Sequence, residues 1–448
     1  MLQRFKRLFA RKAAAHTGAP CRIPAHRHQL SPADISPGAR EVVAKLRAAG
    51  HQALVVGGCV RDTLLGKQAK DFDVATDATP EQVRALFRRA RIIGRRFQIV
   101  HVHQGRELVE VTTFRAGHER HDQPSARGER AHRNPRGILV RDNVFGSLEE
   151  DAQRRDFTIN ALYYDPATDE LLDFVGGLAD MAGRTLRIIG DPATRFREDP
   201  VRMLRAARFH AKLGFALHPA TAAALSQSRR LLAEVPPARL FDEVVKLLMT
   251  GHGLAAYDAL RTHGLLEYLL PDTATAAADP RWDRFLRQAL SNTDERIAHQ
   301  QRVTPGFLFA ALLWPPVAIA ASRDPSAPPT VAALHQAGSE VLSRVVHRLA
   351  IPRRFSTPAR EIWELQPHLE RPGKRSAGQL VSHPRFRAAY DFLLLREQSG
   401  EDLGGSGAWW TRFQEAAQPE REAMLDALQA APRRRRRPRR RAQTAGTE

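Results

Sequence analysis

The chain has 448 residues, long enough for two or three domains, and 43% of them are apolar, enough to build packed cores. Its formal net charge of +20 is concentrated at the ends: seven Lys or Arg and no acid in residues 1–28, and eight Arg against Glu448 alone in residues 431–448. Such flanks suit a polyanion partner, while two cysteines, Cys21 and Cys59, exclude a disulfide scaffold and fit a reducing compartment.

Residues 1–35 form a basic, partly disordered lead-in whose apolar run is too short for a signal peptide. Val42, Val43, Leu46 and Ala49 then recur at helical spacing. The run ALVV (Ala53 to Val56) predicts a strand ending in Gly57-Gly58, VRDTLLG a helix closed by Gly66, and DFDVAT a second strand. Thr79 and Pro80 cap a helix with Val83, Leu86 and Phe87 on one face. Three more strands follow in RIIG, FQIVHVHQG and RELVEVTTF, so residues 36–190 form an α+β head, a small mixed sheet with flanking helices. Within it, residues 117–137 are a polar basic loop.

From Asp191 the pattern turns helical, giving an all-α neck (191–275), an all-α body and tail (276–430) and a disordered Arg-rich end (431–448). The most apolar stretch, Phe307 to Ala321, is too short to span a membrane, and Pro315-Pro316 predicts that it breaks into two buried helices. The expectation is a soluble cytoplasmic protein without a transmembrane segment.

The chemistry is carried by four motifs. In Asp71-Phe72-Asp73 the two carboxylates share one face of a strand, and close like charges need a cation between them, as Mg²⁺ bound to carboxylates and substrate phosphates would be. Gly57-Gly58 stands at a strand-to-helix junction that lets backbone N–H groups approach an anion, with Arg61 one turn on. In RRDFTINAL, Arg155, Asp156 and Asn160 supply a cation, an acceptor and an amide; Asp156 or Glu110 completes the metal-site acids. In REDPVRMLRAARFHAKLG, Asp199 precedes a helix start, and Arg202, Arg205, Arg208 and Lys212 fall on one face, toward a triphosphate or RNA.

The order GGxVRD, DFDVAT, RRDFTINAL, EDPVRMLRAARF resembles the class II nucleotidyltransferases that extend RNA 3′ ends, the bacterial poly(A) polymerases and CCA-adding enzymes. The segment PPARLFDEVVKLLMTGHG, the stretches DERIAHQQRVTPGFLFAALLW and HPRFRAAYDFLLLR, and the Arg-rich terminus resemble the poly(A) polymerases in particular. The resemblance implies a nucleotidyltransferase head with a helical neck, body and tail. It also implies two-metal transfer of AMP from ATP to RNA 3′ ends, with Mg²⁺ (Mn²⁺ as a substitute) held by Asp71 and Asp73 and with Asp156 as third acid. Gly57, Gly58, Arg61, Arg155, Asn160, Asp199, Arg202 and Arg205 are then the nucleotide-binding residues. Arg208, Lys212 and the tail residues Arg433, Arg434, Arg435, Arg436, Arg437, Arg439, Arg440 and Arg441 are the expected RNA contacts, and the tail could equally dock RNA-decay or RNA-chaperone proteins. Cys59 departs from the pattern, which implies a small residue such as glycine there; cysteine is small enough to be tolerated while narrowing the phosphate turn. CCA addition is the alternative reading; a non-catalytic RNA-binding protein would not explain paired acids beside a phosphate turn.

Overall fold

The computed structural model describes residues 21–94, 98–116, 132–133, 139–141, 144–322 and 329–430. Most of the 117–137 loop and all of the 433–441 arginines lie outside the described residues. The chain divides into two compact units, 1–271 and 272–448.

The first unit is built on an eight-stranded mixed sheet. Its strands are β1 (Cys21–Ile23), β2 (Ala53–Val56), β3 (Asp73–Thr76), β4 (Ala90–Ile93), β5 (Ile99–Gln104), β6 (Glu107–Thr113), and, after the separate hairpin of β7 (His132–Arg133) and β8 (Leu139–Arg141), β9 (Leu162–Asp165) and β10 (Glu170–Asp173). They lie in the order β1-β10-β9-β2-β3-β6-β5-β4. Only β3 and β6 pair in parallel; the other neighbours run antiparallel. All four residues of β2 are buried, as a continuous apolar run at the middle of a covered sheet requires. The lead-in differs from expectation: Cys21–Ile23 is an edge strand, because Ile23 finds buried space beside β10.

Helix α1 (Pro37–Ala48) starts where Ser36 accepts from the Ala39 N–H, and it buries Val42, Val43 and Leu46. Helix α2 (Gly58–Leu64) joins β2 to β3. Helix α3 (Pro80–Leu86) opens with a Thr79–Gln82 capping box. Strand β3 begins at Asp73, so Asp71 stands just before it rather than within it. Helix α4 (Leu148–Arg154) leads into a 3₁₀ turn, Thr158–Asn160, against which α5 (Gly177–Ala182) packs. The neck follows as α6 (Pro192–Glu198), α7 (Val201–Leu213), α8 (Pro219–Ser228) and α9 (Pro237–Leu248). It is not wholly helical, since Ala216–Leu217 pairs in parallel with Thr185–Leu186.

The second unit is helical. Pro305–Ala321 is one helix, not the expected pair, and holds both Pro315 and Pro316 in its interior. Pro316 cannot donate to the Leu312 carbonyl, but that oxygen accepts from Thr273 Oγ1 at 2.9 Å. Trp363 Nε1–H donates to Ala310 O at 3.0 Å in the same segment. A tertiary partner, Thr273, thus takes over the bond that Pro316 removes, and Trp363 adds a second anchor at Ala310. Among the described residues no helix is long and apolar enough to cross a membrane.

A Cβ added at Gly177 would lie 2.3 Å from the backbone oxygen of Thr158, in the turn that carries Asn160. Gly177→Ala is therefore expected to cost about 1–3 kcal/mol in urea unfolding by forcing that turn aside. An unchanged midpoint would show that the turn yields without strain.

Candidate active site

Two neighbouring regions of opposite charge meet beside the central strands β3 and β6 of the sheet. The first is acidic. Asp73 opens β3 directly beside Glu110 on the parallel strand β6, while buried Phe72 separates it from exposed Asp71. The Asp73 carboxyl is pushed up to about 6, first by burial, then by Glu110 and with a smaller push from Asp71; Arg155 pulls the other way. Glu110 also faces His101, with Nε2–Oε1 at 3.3 Å. Among the described residues no three Asp, Glu, His or Cys side chains converge closely enough to hold a metal unaided. The acids nonetheless form a patch short of positive charge, and hard divalent ions commonly complete their shell with water and substrate phosphates.

Gly57 takes φ 86° and ψ −133°, a conformation that disfavours any residue with a Cβ. That atom would stand 3.6 Å from both Asp73 Oδ2 and an Arg155 guanidinium nitrogen, so the turn threads between acid and base. Cys59 is buried, donates to Val56 O at 3.2 Å, and has its thiol pushed up to about 11, chiefly by burial. It is a neutral core residue, which explains why a side chain larger than glycine fits here.

The second region is a cavity of about 410 Å³ lined by six arginines (Arg115, Arg154, Arg155, Arg202, Arg205, Arg239) against four acids (Asp151, Asp156, Asp199, Glu243). Thr112 also lines it, two residues from Glu110 on β6 and hence on the same face of that strand. Burial pushes Arg115 down to about 10 and Arg154 well below its ordinary value, the latter further depressed by Arg115, Arg195 and Arg202. Arg195, buried behind the cavity, also falls to about 10 through burial and then Arg202. Arg155 and Arg205 move the other way: burial opposes their charge, but Tyr163 and Asp151 for the first and Asp156 for the second outweigh it, so the cavity's positive excess rests on its six arginines against four acids.

The remaining predicted residues are not free cations and acids awaiting ligand. Asp156 accepts from Arg205 Nε at 2.7 Å, from Asn160 Nδ2 at 3.1 Å and from the Phe157 N–H at 2.8 Å. Burial alone would raise its carboxyl, but Arg205, Asn160 and Phe157 hold it well below the usual range. Of the two acids open for the third metal-site position, Asp156 has its oxygens bonded to Arg205 and Asn160, whereas Glu110 stands directly beside Asp73. Arg61 is buried, bonded to Asp62 at 2.7 Å and through its other nitrogen to Asn160 Oδ1, so it stands behind the phosphate turn and not on an open path to a triphosphate. Arg155 is gripped by Asp151 at 3.0 Å and Tyr163 at 2.9 Å.

The basic face of α7 is turned onto the protein. Arg202 meets Glu198 at 3.3 Å and Arg195 O at 3.0 Å; Arg208 approaches Glu243 at 3.9 Å; Lys212 approaches Asp62 at 3.6 Å. Arg202 and Arg205 line the cavity, whereas Arg208 and Lys212 do not. Acids on α2, α6 and α9 compensate this face, so solvent does not have to. Asp199 is clamped by Arg239 of α9 through two bonds of 2.7 Å, while its link to Arg202 runs through the backbone, Arg202 N–H to Asp199 O at 3.0 Å.

Sequence reasoning missed Arg239, Glu198 and Asp151. The Asp151–Arg155 pair has a legible i,i+4 spacing. Arg239 lies forty positions from its partner Asp199, and no local pattern pairs them.

With this geometry in view, the similarity to known proteins is informative. A model described as Poly A polymerase head domain matches residues 53–187. One described as probable RNA and SrmB-binding site of polymerase A matches 214–276, and one described as polymerase A arginine-rich C-terminus matches 326–442. The chain is 47% identical to poly(A) polymerase I of Salmonella typhimurium, over 94% of this chain and 92% of that protein. It is 43% identical to poly(A) polymerase I of Haemophilus influenzae over 91% of each.

The chain belongs to the poly(A) polymerase family.

Membership makes it a nucleotidyltransferase, specifically a polynucleotide adenylyltransferase. CCA-adding enzymes are more distant: that of Bacillus velezensis is 40% identical over 50% of this chain and 53% of its own length. The fold is nevertheless shared. A Bacillus stearothermophilus CCA-adding enzyme solved with CTP superposes with TM-score 0.58 at 25% identity, covering 88% of this chain and 93% of that one.

The raised Asp73 carboxyl has a consequence for stability. Its folded pKa lies above the ordinary carboxylate value, so the folded chain holds this proton more tightly than the unfolded one. Stability from this group falls as pH rises from about 4 to about 6, and the loss persists above. Without divalent ions, Asp73→Asn should gain up to about 3 kcal/mol in urea unfolding near pH 7–8 and almost nothing near pH 4. An equal gain at both pH values would show that the carboxyl is not raised.

Proposed function

We propose that this chain transfers AMP from ATP to RNA 3′ ends at the junction of the acidic patch and the arginine cavity, releasing pyrophosphate. The observation that carries the reading is the adjacency of an acidic patch on the central strands and a cavity with more arginines than acids: a magnesium nucleoside triphosphate supplies the cation to one and the anion to the other. Asp71 and Asp73 are the residues that would hold Mg²⁺, or Mn²⁺ in its place, with Glu110 as the acid facing Asp73. When bound, the ion supplies Lewis-acid activation of the 3′-hydroxyl and charge neutralisation at the departing pyrophosphate.

Every other role falls to the protein. The Gly57-Gly58 turn admits phosphate close to the backbone, and Arg155, already oriented by Asp151 and Tyr163, faces it from the side of Asp73. Asn160 is held by Asp156 and Arg61 for a ribose contact. Arg205 is aligned by Asp156 on the cavity wall. Asp199 and Arg202 address the base, and the two-bond clamp from Arg239 keeps the Asp199 carboxylate in one orientation. Buried arginines positioned before substrate arrives lose little reorganisation energy when negative charge develops.

Asp71→Ala and Asp73→Ala should each abolish elongation while leaving RNA affinity and the urea midpoint of the metal-free chain close to the parent's or higher. Normal tail synthesis by both variants would remove the assignment. Two primers separate adenosine tailing from CCA addition. With ATP alone, a generic RNA should acquire long tails; a tRNA lacking its CCA that stops after CCA with CTP and ATP would favour the other chemistry.

Beyond the described residues, the eight arginines between Arg433 and Arg441 suit sequence-blind phosphate contacts, consistent with RNA as the partner and with a cytoplasmic setting. Removal of 431–448 should reduce the slope of log affinity against log salt by about 5–6, at about 0.7 per phosphate, and leave the rate at saturating RNA unchanged. An unaltered slope would assign the tail to a protein partner such as RNA-decay or RNA-chaperone machinery.

A further inference from the structure

The unit spanning 272–448 contains its own cavity, of about 880 Å³, between the helices Pro280–Ala298, Pro305–Ala321 and Phe386–Gln398. Its charged lining is Arg296, Arg302, Arg385 and Arg387 against Glu295 and Asp391. Arg385 is paired with Glu361 at 2.7 Å and Arg387 with Asp391 at 3.0 Å. Exposed Arg302 has no ion-pair partner among the described residues, and its backbone carbonyl accepts from Arg296 at 3.3 Å.

Local backbone geometry explains how Arg302 comes to the wall. Gln300 adopts φ 57° just past the first helix, and the Gln301 N–H returns to Arg296 O at 2.7 Å. This tight left-handed stop, unusual without glycine, sends Gln301 and Arg302 straight back along the cavity. Phe307 is a half-buried aromatic on the same wall, packed edge-on to Phe392 at 5.9 Å. Asn292 and Gln398, joined at 2.9 Å, add amide groups.

We propose that this cavity is a second RNA site, holding a few nucleotides of single-stranded RNA separately from the residues assigned to transfer. Cationic guanidiniums for phosphates, an aromatic wall for a base and amides for base edges are the elements that single-strand sites combine. The volume lies near the top of the range for single small-ligand pockets, about 300–1,000 Å³, and accommodates more than one nucleotide. An excess of arginine over acid disfavours a cationic or purely apolar occupant. The proposal rests on the reading of the chain as an enzyme acting on RNA.

The test uses the full chain and a short fluorescent oligoadenylate, with binding followed by anisotropy over a salt series in the absence of ATP. The double variant Arg302→Gln/Arg387→Gln changes two exposed side chains outside the transfer site. It should weaken binding about five- to tenfold and reduce the salt slope by about 1–1.5, as expected for two phosphate contacts at about 0.7 each. AMP addition at saturating RNA should keep its kcat while the KM for RNA rises. Phe307→Leu, with a 2-aminopurine reporter in the RNA, should lose base quenching and leave the slope unchanged. Unaltered affinity and slope in the double variant, with undiminished quenching in Phe307→Leu, would overturn the proposal. So would displacement of the affected binding by free ATP, which would mark a mononucleotide site. A parent chain that binds RNA in this way yet never transfers AMP would sink the enzyme reading without touching this one.

Discussion

The bond between Asp156 and Arg205 is the joint on which the site is built. One partner follows α4 at the base of the sheet; the other projects from α7 in the neck. Asp156 is buried and stays ionised because Arg205, Asn160 and the Phe157 N–H all face it. Removing one member of such a pair strands a buried charge, at a cost of about 3–5 kcal/mol. The pair therefore fixes where the neck meets the head, and with it the wall of the arginine cavity.

From that joint a chain of polar contacts runs outward. Asn160 carries the link to Arg61, Arg61 to Asp62, and Asp62 to Lys212, which returns to α7. A second strand of the network runs through Glu198, which meets Arg195 at 3.0 Å and Arg202 at 3.3 Å, and Arg195 in turn donates to Arg155 O at 2.6 Å. Head and neck thus share buried charges in both directions. Concentrating so many arginines would be destabilising by mutual repulsion were the acids not interleaved; the residual imbalance, positive in the cavity and negative at Asp73, is what remains for a ligand to neutralise.

Much of this architecture was legible in the chain. The buried strand Ala53–Val56 and the cap at Thr79 follow from periodicity and local chemistry, whereas the strand expected to carry both Asp71 and Asp73 begins only at Asp73. The motif order carried the family, because glycine turn, paired acids and basic helix are each short and contiguous. What stayed illegible was pairing across distance. Asp156 stood beside Glu110 as an open choice for the metal-site acids because its motif advertises a carboxylate, and nothing local shows that Arg205, forty-nine positions on, is bonded to it. The α7 cations looked like an open basic face because helical periodicity gives the side of a helix but not what covers it. Likewise Pro315-Pro316 signalled a break that Thr273, far away in sequence, makes unnecessary.

The same logic explains why arginine, not lysine, lines the cavity. Arg239 reaches both oxygens of Asp199 and so fixes the carboxylate plane as well as its charge, while Arg205 grips one oxygen of Asp156 with two nitrogens and Asn160 and the Phe157 N–H hold the other. An ammonium group could neutralise either acid but would leave it free to rotate. At Asp199 the fork holds both carboxylate oxygens, so its acceptors keep one orientation on the cavity wall. On the proposed reading of Asp199 as the base-facing acceptor, discrimination between bases asks that the acceptor stay in one place, and the fork of Arg239 on α9 supplies that constraint.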